Sequence, residues 1–383
     1  MEQSYVLIDT ESRVYEDSWD LRESYAGKSV SVVKRRLYGG VQEGLDVVEI
    51  TTDRVSFTVL ASRGMNVLRA RCDDVDLKWD SPVGGPVHPN FVPIFAPNGV
   101  GWLEGFSEWI ARCGLESNGA PEFDKNGVLK YPLHGRLSNL PARRVEVGFD
   151  PESGVLRITG VMYETSVFGR KFRFTTTYRL KVDETKIQVE DSVENLASVD
   201  DEFELLYHIN TGNPLVAPGA KFLGAFEKMC PRDQNAVAEL GEWNSFREPI
   251  PGVPETCYFF DLATDEIGNA EVALVNAQND RAFKLSFNKK DFPYFILWKT
   301  QRPNSDIYVS GMEPAINFPN TRSFEKSRGR VMPIAAGEKK TFCFTLDVLL
   351  DKDEVESFVQ RIEKRQASAR GEIVKEPIAD WCE

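Results

Sequence analysis

The chain has 383 residues, 42% of them hydrophobic and 27% charged, an ordinary globular balance with ample apolar material for a core. Its formal net charge is −13, and no Lys/Arg cluster forms a basic patch, so nucleic acid and anionic membrane surfaces are disfavoured as partners. No run of about 18 apolar residues occurs, so no membrane span is expected.

In chain order, residues 1–30 are mostly polar and read as a short N-terminal extension without the apolar stretch of a secretory leader. The six cysteines (Cys72, Cys113, Cys230, Cys257, Cys343 and Cys382) are scattered, with no C-x-x-C pair and no zinc-ribbon spacing. Reduced thiols in a cytoplasmic protein are the expectation. From residue 31 to 351 the dominant period is two. In 54–59, Val55, Phe57 and Val59 alternate with Arg54, Ser56 and Thr58. In 171–180, Phe172, Phe174, Tyr178 and Leu180 oppose Lys171, Arg173 and Arg179. The segments 155–166, 171–181 and 186–194, joined by short turns, predict an antiparallel meander, and 341–348 predicts a further strand. The clearest helix is Asp353 to Ala369, where Val355, Phe358, Val359 and Ile362 fall at helical spacing. It opens a C-terminal helix and tail, 352–383, with the part after Gly371 expected to be loosely ordered. The fold class is therefore all-β: one large antiparallel β-sandwich with few short helices.

Two irregular stretches interrupt the alternation, 82–142 and 298–322. Long irregular segments on a rigid scaffold are where function concentrates. Trp102, Phe106, Trp109 and Trp298 offer flat apolar faces suited to the C–H faces of a sugar ring.

Acid–base chemistry near neutrality points first to the three histidines, His88, His134 and His208. His208 lies in EFELLYHINTG, where Glu204, Leu206, His208 and Asn210 share one strand face and Phe203, Leu205, Tyr207 and Ile209 the other. His134 lies in LHGRLSN, followed by Gly135, which permits close approach of another group. His88, before a proline, reads as structural. Glu313 sits between Gly311 and Pro314, on what reads as a stiff turn after a strand 306–310.

Together, an L-H-G segment, a strand carrying His with Asn two residues on, and a late G-x-E-P resemble the aldose 1-epimerase (galactose mutarotase) pattern. Arg63-Gly64-Met65, Cys113 to Gly119 and Leu133 to Arg136 resemble an uncharacterised related branch with R-G-M, C-G-L-x-x-N-G and L-H-G-R signatures. The resemblance spans roughly residues 45–350. It implies a galactose-mutarotase-like supersandwich acting on a small sugar or sugar derivative with neither cofactor nor metal. His208 would be the general acid, Glu313 the general base, and His134 a sugar-binding residue, with acid and base flanking the anomeric centre. The G-R-x-x-N-R-I segment of standard mutarotases is absent. Arg112 is the candidate substitute for its arginine, with Arg232 a second candidate cation. Asp233 and Asp306 are candidates for the usual substrate-binding aspartate. Asn210 and Trp298 complete the expected substrate-binding set. A non-catalytic carbohydrate-binding protein, a lyase, hydrolase or isomerase using the same pair on a modified sugar, and a metal site built from His134, His208 and Glu313 are the alternative readings.

Overall fold

The computed structural model describes residues 2–383. Two large sheets, of 10 and 14 strands and almost entirely antiparallel, carry most of the chain. The larger sheet runs, by neighbour, Glu372–Ile373, Phe226–Pro231, Thr256–Leu262, Tyr294–Gln301, Tyr308–Ala315, Asp201–Gly212, Ile110–Leu115 and Asn66–Cys72, then through four more strands to Trp19–Tyr25. The smaller contains the expected meander, Val155–Thr165, Lys171–Lys181 and Ile187–Asn195, with Lys339–Leu349 beside it.

Period-two patterning places the core. Phe172, Phe174, Tyr178 and Leu180 from the meander pack with Phe203, Leu205, Tyr207 and Ile209 of the Asp201–Gly212 strand and with Phe57 and Val59 in one buried cluster. Apolar faces buried in this way supply the dominant driving force for the sandwich. The opposite face of the larger sheet carries a second apolar cluster, which includes Leu206, Ala111, Ile296, Ala315, Trp102 and Phe106. That outer face holds the candidate site.

The two ends of the chain differ from expectation. Residues 3–25 are not an appendage. Gln3–Asp9 pairs with Arg144–Asp150 in the smaller sheet, and Trp19–Tyr25 pairs with Lys28–Arg36 at the edge of the larger one. The helix Lys352–Ser368 forms where expected, capped by the Asp351 side chain on the Glu354 N–H and burying Val355, Phe358 and Ile362. The tail after it is ordered. Glu372–Ile373 adds a short parallel strand beside Phe226–Pro231. Val374, Ile378, Trp381 and Cys382 then pack on the outer apolar cluster. Apolar side chains that find a sheet face override the polar composition around them. All six cysteines are free thiols. Among the described residues, no helix is long and apolar enough to cross a membrane.

Candidate active site

Strand register assembles the site. The pairings Leu206↔Ala315 and Ile209↔Met312 set His208 opposite Glu313, and Glu313 pairs with Ile296 on its other side. Two residues along the strands, the next row is Asn210, Gly311, Trp298 and Cys257. Residues two apart share a face, so His208, Asn210, Gly311, Glu313 and Trp298 project together from the outer side. Glu313 thus lies inside the strand Tyr308–Ala315 and not on a turn. The irregular stretch from 82 supplies the cover. Trp102 and Phe106 pack 4.4 Å apart, and Phe106 lies 5.0 Å from the His208 ring. The Trp298 ring is edge-on to His208 at 5.1 Å.

His208 Nε2 is 3.2 Å from Glu313 Oε1. The contact is not aligned as a hydrogen bond, and Oε1 is buried without a hydrogen-bond partner. Trp102 Nε1, in the same ring of aromatics, is also buried and unpartnered. Unsatisfied groups of this kind are costly, and they concentrate where a ligand completes the bonding. The other nitrogen of His208 is fixed. Asn210 donates through Nδ2 to the carbonyls of Glu108 and His208, both at 3.0 Å. Its Oδ1 therefore faces His208 Nδ1 and accepts the N–H there. In the neutral ring this leaves the Nε2 lone pair turned to Glu313. Acid and base candidates consequently stand side by side, not on opposite sides of a cleft. Gly311 makes room for them: a Cβ at this position would lie 2.8 Å from Glu313 Oε1 and 3.0 Å from His208 Cε1.

Burial sets the resting charges. It lowers His208 to about 3, with His134 adding to the effect and Asn210 opposing it. It raises the Glu313 carboxyl well above the usual range, with Arg232 pulling down and Glu255 pushing up. Both shifts run toward the uncharged forms, a neutral imidazole and a protonated carboxyl, because burial penalises charge on either group.

His134 faces the same space, its ring 5.6 Å from that of His208 and 4.6 Å from Trp102. Its Nδ1–H donates to the Asn118 carbonyl at 2.8 Å, leaving Nε2 as an acceptor. Burial lowers it to about 4. Its φ is +57°, a left-handed conformation uncommon for a residue with a Cβ. Gly135 behind it, at φ +69°, must be glycine, since a Cβ would meet the Ser117 oxygen at 2.0 Å.

Other expected residues fare differently. Arg112 points the opposite way, into the inter-sheet core. It is fully buried, paired with Asp191 (Nε–Oδ2 2.7 Å), and bonded to Thr176, Tyr178 and the Met65 carbonyl. Alternation in Ile110–Leu115 dictates this, because Ala111 and Cys113 take the outer face. It is a structural ion pair and does not reach the site. Arg112→Ala should lower stability by about 3–5 kcal/mol by stranding Asp191, measured by chemical denaturation.

Asn210 has its hydrogen bonds filled by His208 and backbone, so it positions the histidine. Asp233 caps the helix Gln234–Ala238 through Oδ1 and holds Arg232 through Oδ2, leaving little to offer a sugar. Asp306 lies exposed after the Trp298 strand. His88 accepts from the Asn90 N–H as a cap, in keeping with its structural reading. Arg232 does reach the mouth of the site. There Glu255, which the sequence did not single out, joins it to Trp298: Arg232 Nη2–Glu255 Oε1 is 3.1 Å and Trp298 Nε1 donates to Glu255 Oε2 at 2.8 Å. Among the described residues, no group of three or more His, Cys, Asp or Glu is arranged to hold a metal ion. A groove of about 830 Å³ beside the helix Lys352–Ser368 is lined without a histidine and by paired charges such as Lys284–Asp347. It lies away from this chemistry.

The fold and the His–Glu face define a galactose-mutarotase-like sandwich. The sequence profile of a family described as a domain of unknown function (DUF4432) matches residues 42–348, and the chain belongs to that family. It superposes on a protein of Klebsiella pneumoniae subsp. pneumoniae named a putative aldose 1-epimerase, with a TM-score of 0.95, 28% identity, and coverage of 99% of this chain and 100% of that one. Galactose mutarotase-like proteins from Clostridium acetobutylicum (TM-score 0.55, 14% identity, 87% and 98% covered) and Lactobacillus casei (0.51, 16%, 79% and 99%) share the fold. No curated protein matches the chain.

Proposed function

We propose that the protein is a carbohydrate-active isomerase of the aldose 1-epimerase type, interconverting the anomers of a free sugar. The observation that carries this reading is the buried His208–Glu313 contact with an unsatisfied Oε1, walled by Trp102, Phe106 and Trp298. Likeness to the Klebsiella protein supports the same class. Mutarotation needs one group to take the O1 proton and another to protonate the ring oxygen. Both oxygens are bonded to the same carbon, so two side chains in contact serve them from one side.

In this reading Glu313 is the base, His208 the acid, and His134 Nε2 holds a hydroxyl. The proton that rests on Glu313 passes to His208 as the polar sugar replaces the dry surroundings, with Arg232 favouring the carboxylate. The C1–O5 bond opens, the aldehyde turns about C1–C2, and closure on the other face returns the proton. No cofactor takes part.

The protonation states give a pH dependence. Activity should persist below the ordinary histidine range and fall only as the pH approaches about 4, where His134 and then His208 become charged. Loss on the alkaline side should track deprotonation of the raised Glu313. An acid limb centred near 6.5 in the rate profile would contradict this. Polarimetry of freshly dissolved single-anomer sugars tests the function itself. Optical rotation should relax faster in proportion to added protein for at least one sugar; no acceleration across neutral, acidic and phosphorylated aldoses would remove the reading.

A further inference from the structure

Granted the sugar site proposed above, we infer that Arg232 and Glu255 form a selective rim that admits sugars presenting uncharged hydroxyls and turns away uronates and sugar phosphates. Arg232 follows the strand Phe226–Pro231, and its backbone N–H donates to the Cys257 carbonyl at 2.9 Å. That bond continues the row of Cys257, Trp298, Gly311 and Asn210 across the sheet. The side chains of Arg232 and Glu255 are 32% and 47% exposed, against 6% and 3% for His208 and Glu313. Arg232 and Glu255 are thus the solvent-facing side chains nearest the buried pair along this row.

The donors of Arg232 are largely spent. Nε and Nη2 bond Asp233 Oδ2 at 3.0 and 2.8 Å, and Nη2 also reaches Glu255. Among the described residues Nη1 has no hydrogen-bond partner, so it is the free edge of the guanidinium. One positive charge thus faces two carboxylates, beside a His–Glu pair whose burial favours its uncharged forms. A sugar hydroxyl suits this rim, because it can accept from Nη1 and donate to Glu255. A carboxylate or phosphate can only accept, and it meets Asp233 and Glu255 at close range. Like-charge juxtaposition of this kind is a common source of discrimination. Glu255 also holds the Trp298 indole through Nε1, so the residue that sets the charge also orients an aromatic wall.

The test is titration calorimetry of one neutral aldose, its uronate and its 6-phosphate on the wild type, E255Q and R232Q, with anomer exchange followed in the same samples. The neutral aldose should bind wild type at least about tenfold tighter than either anion. E255Q removes one negative charge and should narrow that ratio several-fold, whereas R232Q should weaken the neutral aldose. Equal wild-type affinity for neutral and anionic sugars, or an unchanged ratio in E255Q, would overturn the selectivity. Selective binding without anomer exchange would keep the rim and remove the isomerase reading. Exchange without selectivity would do the reverse, and no binding by any of the three sugars would overturn both.

Discussion

Glu313→Gln should slow anomer exchange by roughly 10²–10⁴-fold, the usual contribution of a general acid or base, while sugar affinity changes much less. The variant keeps the shape of the side chain and its place in the strand Tyr308–Ala315, but the amide oxygen is too weak a base to take the O1 proton. Burial raises the carboxyl and so favours its uncharged form. An amide at this position therefore leaves no new buried charge, and the fold should tolerate it. That separates a chemical role from a structural one. Equal exchange rates in wild type and variant, on a sugar that both bind, would assign the carboxyl to structure.

Gly311→Ala should be nearly as damaging with the smallest possible change. Glycine is not required here by the backbone, since Gly311 is absent from the positive-φ positions. It is required by its neighbours: the added Cβ would crowd Glu313 Oε1 at 2.8 Å and His208 at 3.0 Å. Side chains displaced by about 1 Å from a reacting centre can lose on the order of 10²-fold in rate. Alanine in a strand costs no more conformational entropy than glycine, so thermal stability should fall little. Kinetics and a melting curve on the same preparation check both halves. A large loss of stability with proportionate loss of activity would show that the clash is absorbed by the sheet and not by the pair.

The fold was legible because its dominant signal is local. Alternation in 171–180 and in EFELLYHINTG assigned each side chain to the correct face, and the 3.6-residue spacing of Val355, Phe358 and Ile362 located the helix. The His208–Glu313 pairing depended on the family resemblance, since sequence distance gives no register between the two strands. Four features were misread or missed for physical reasons. Gly311 and Pro314 looked like turn residues, but here glycine gives space beside two side chains, and the proline lies within a strand. Arg112 was expected to meet a ligand only as a substitute for the arginine of the absent G-R-x-x-N-R-I segment, and that analogy took no account of which face of its strand it occupies. Its partner Asp191 lies in the other sheet, 79 residues away in sequence. Period-two reading of Ile110–Leu115 would have turned it inward. Glu255 was overlooked, although counting back two from Cys257 places it on the site face. The N-terminal strands were hidden by their polar surroundings, with Leu7 and Leu21 as the buried anchors.

The central claim is that the His208–Glu313 pair opens and recloses a sugar ring. Two-dimensional NMR exchange spectroscopy on an equilibrium mixture of anomers tests it most directly, because mutarotation leaves no net product and must be seen as exchange. With protein present, α and β anomeric protons of the preferred sugar should show cross-peaks at mixing times where the sugar alone shows none. A sugar that binds the protein, as seen by saturation transfer, yet gives no cross-peaks at any pH between 5 and 9 would contradict the account and leave a carbohydrate-binding protein.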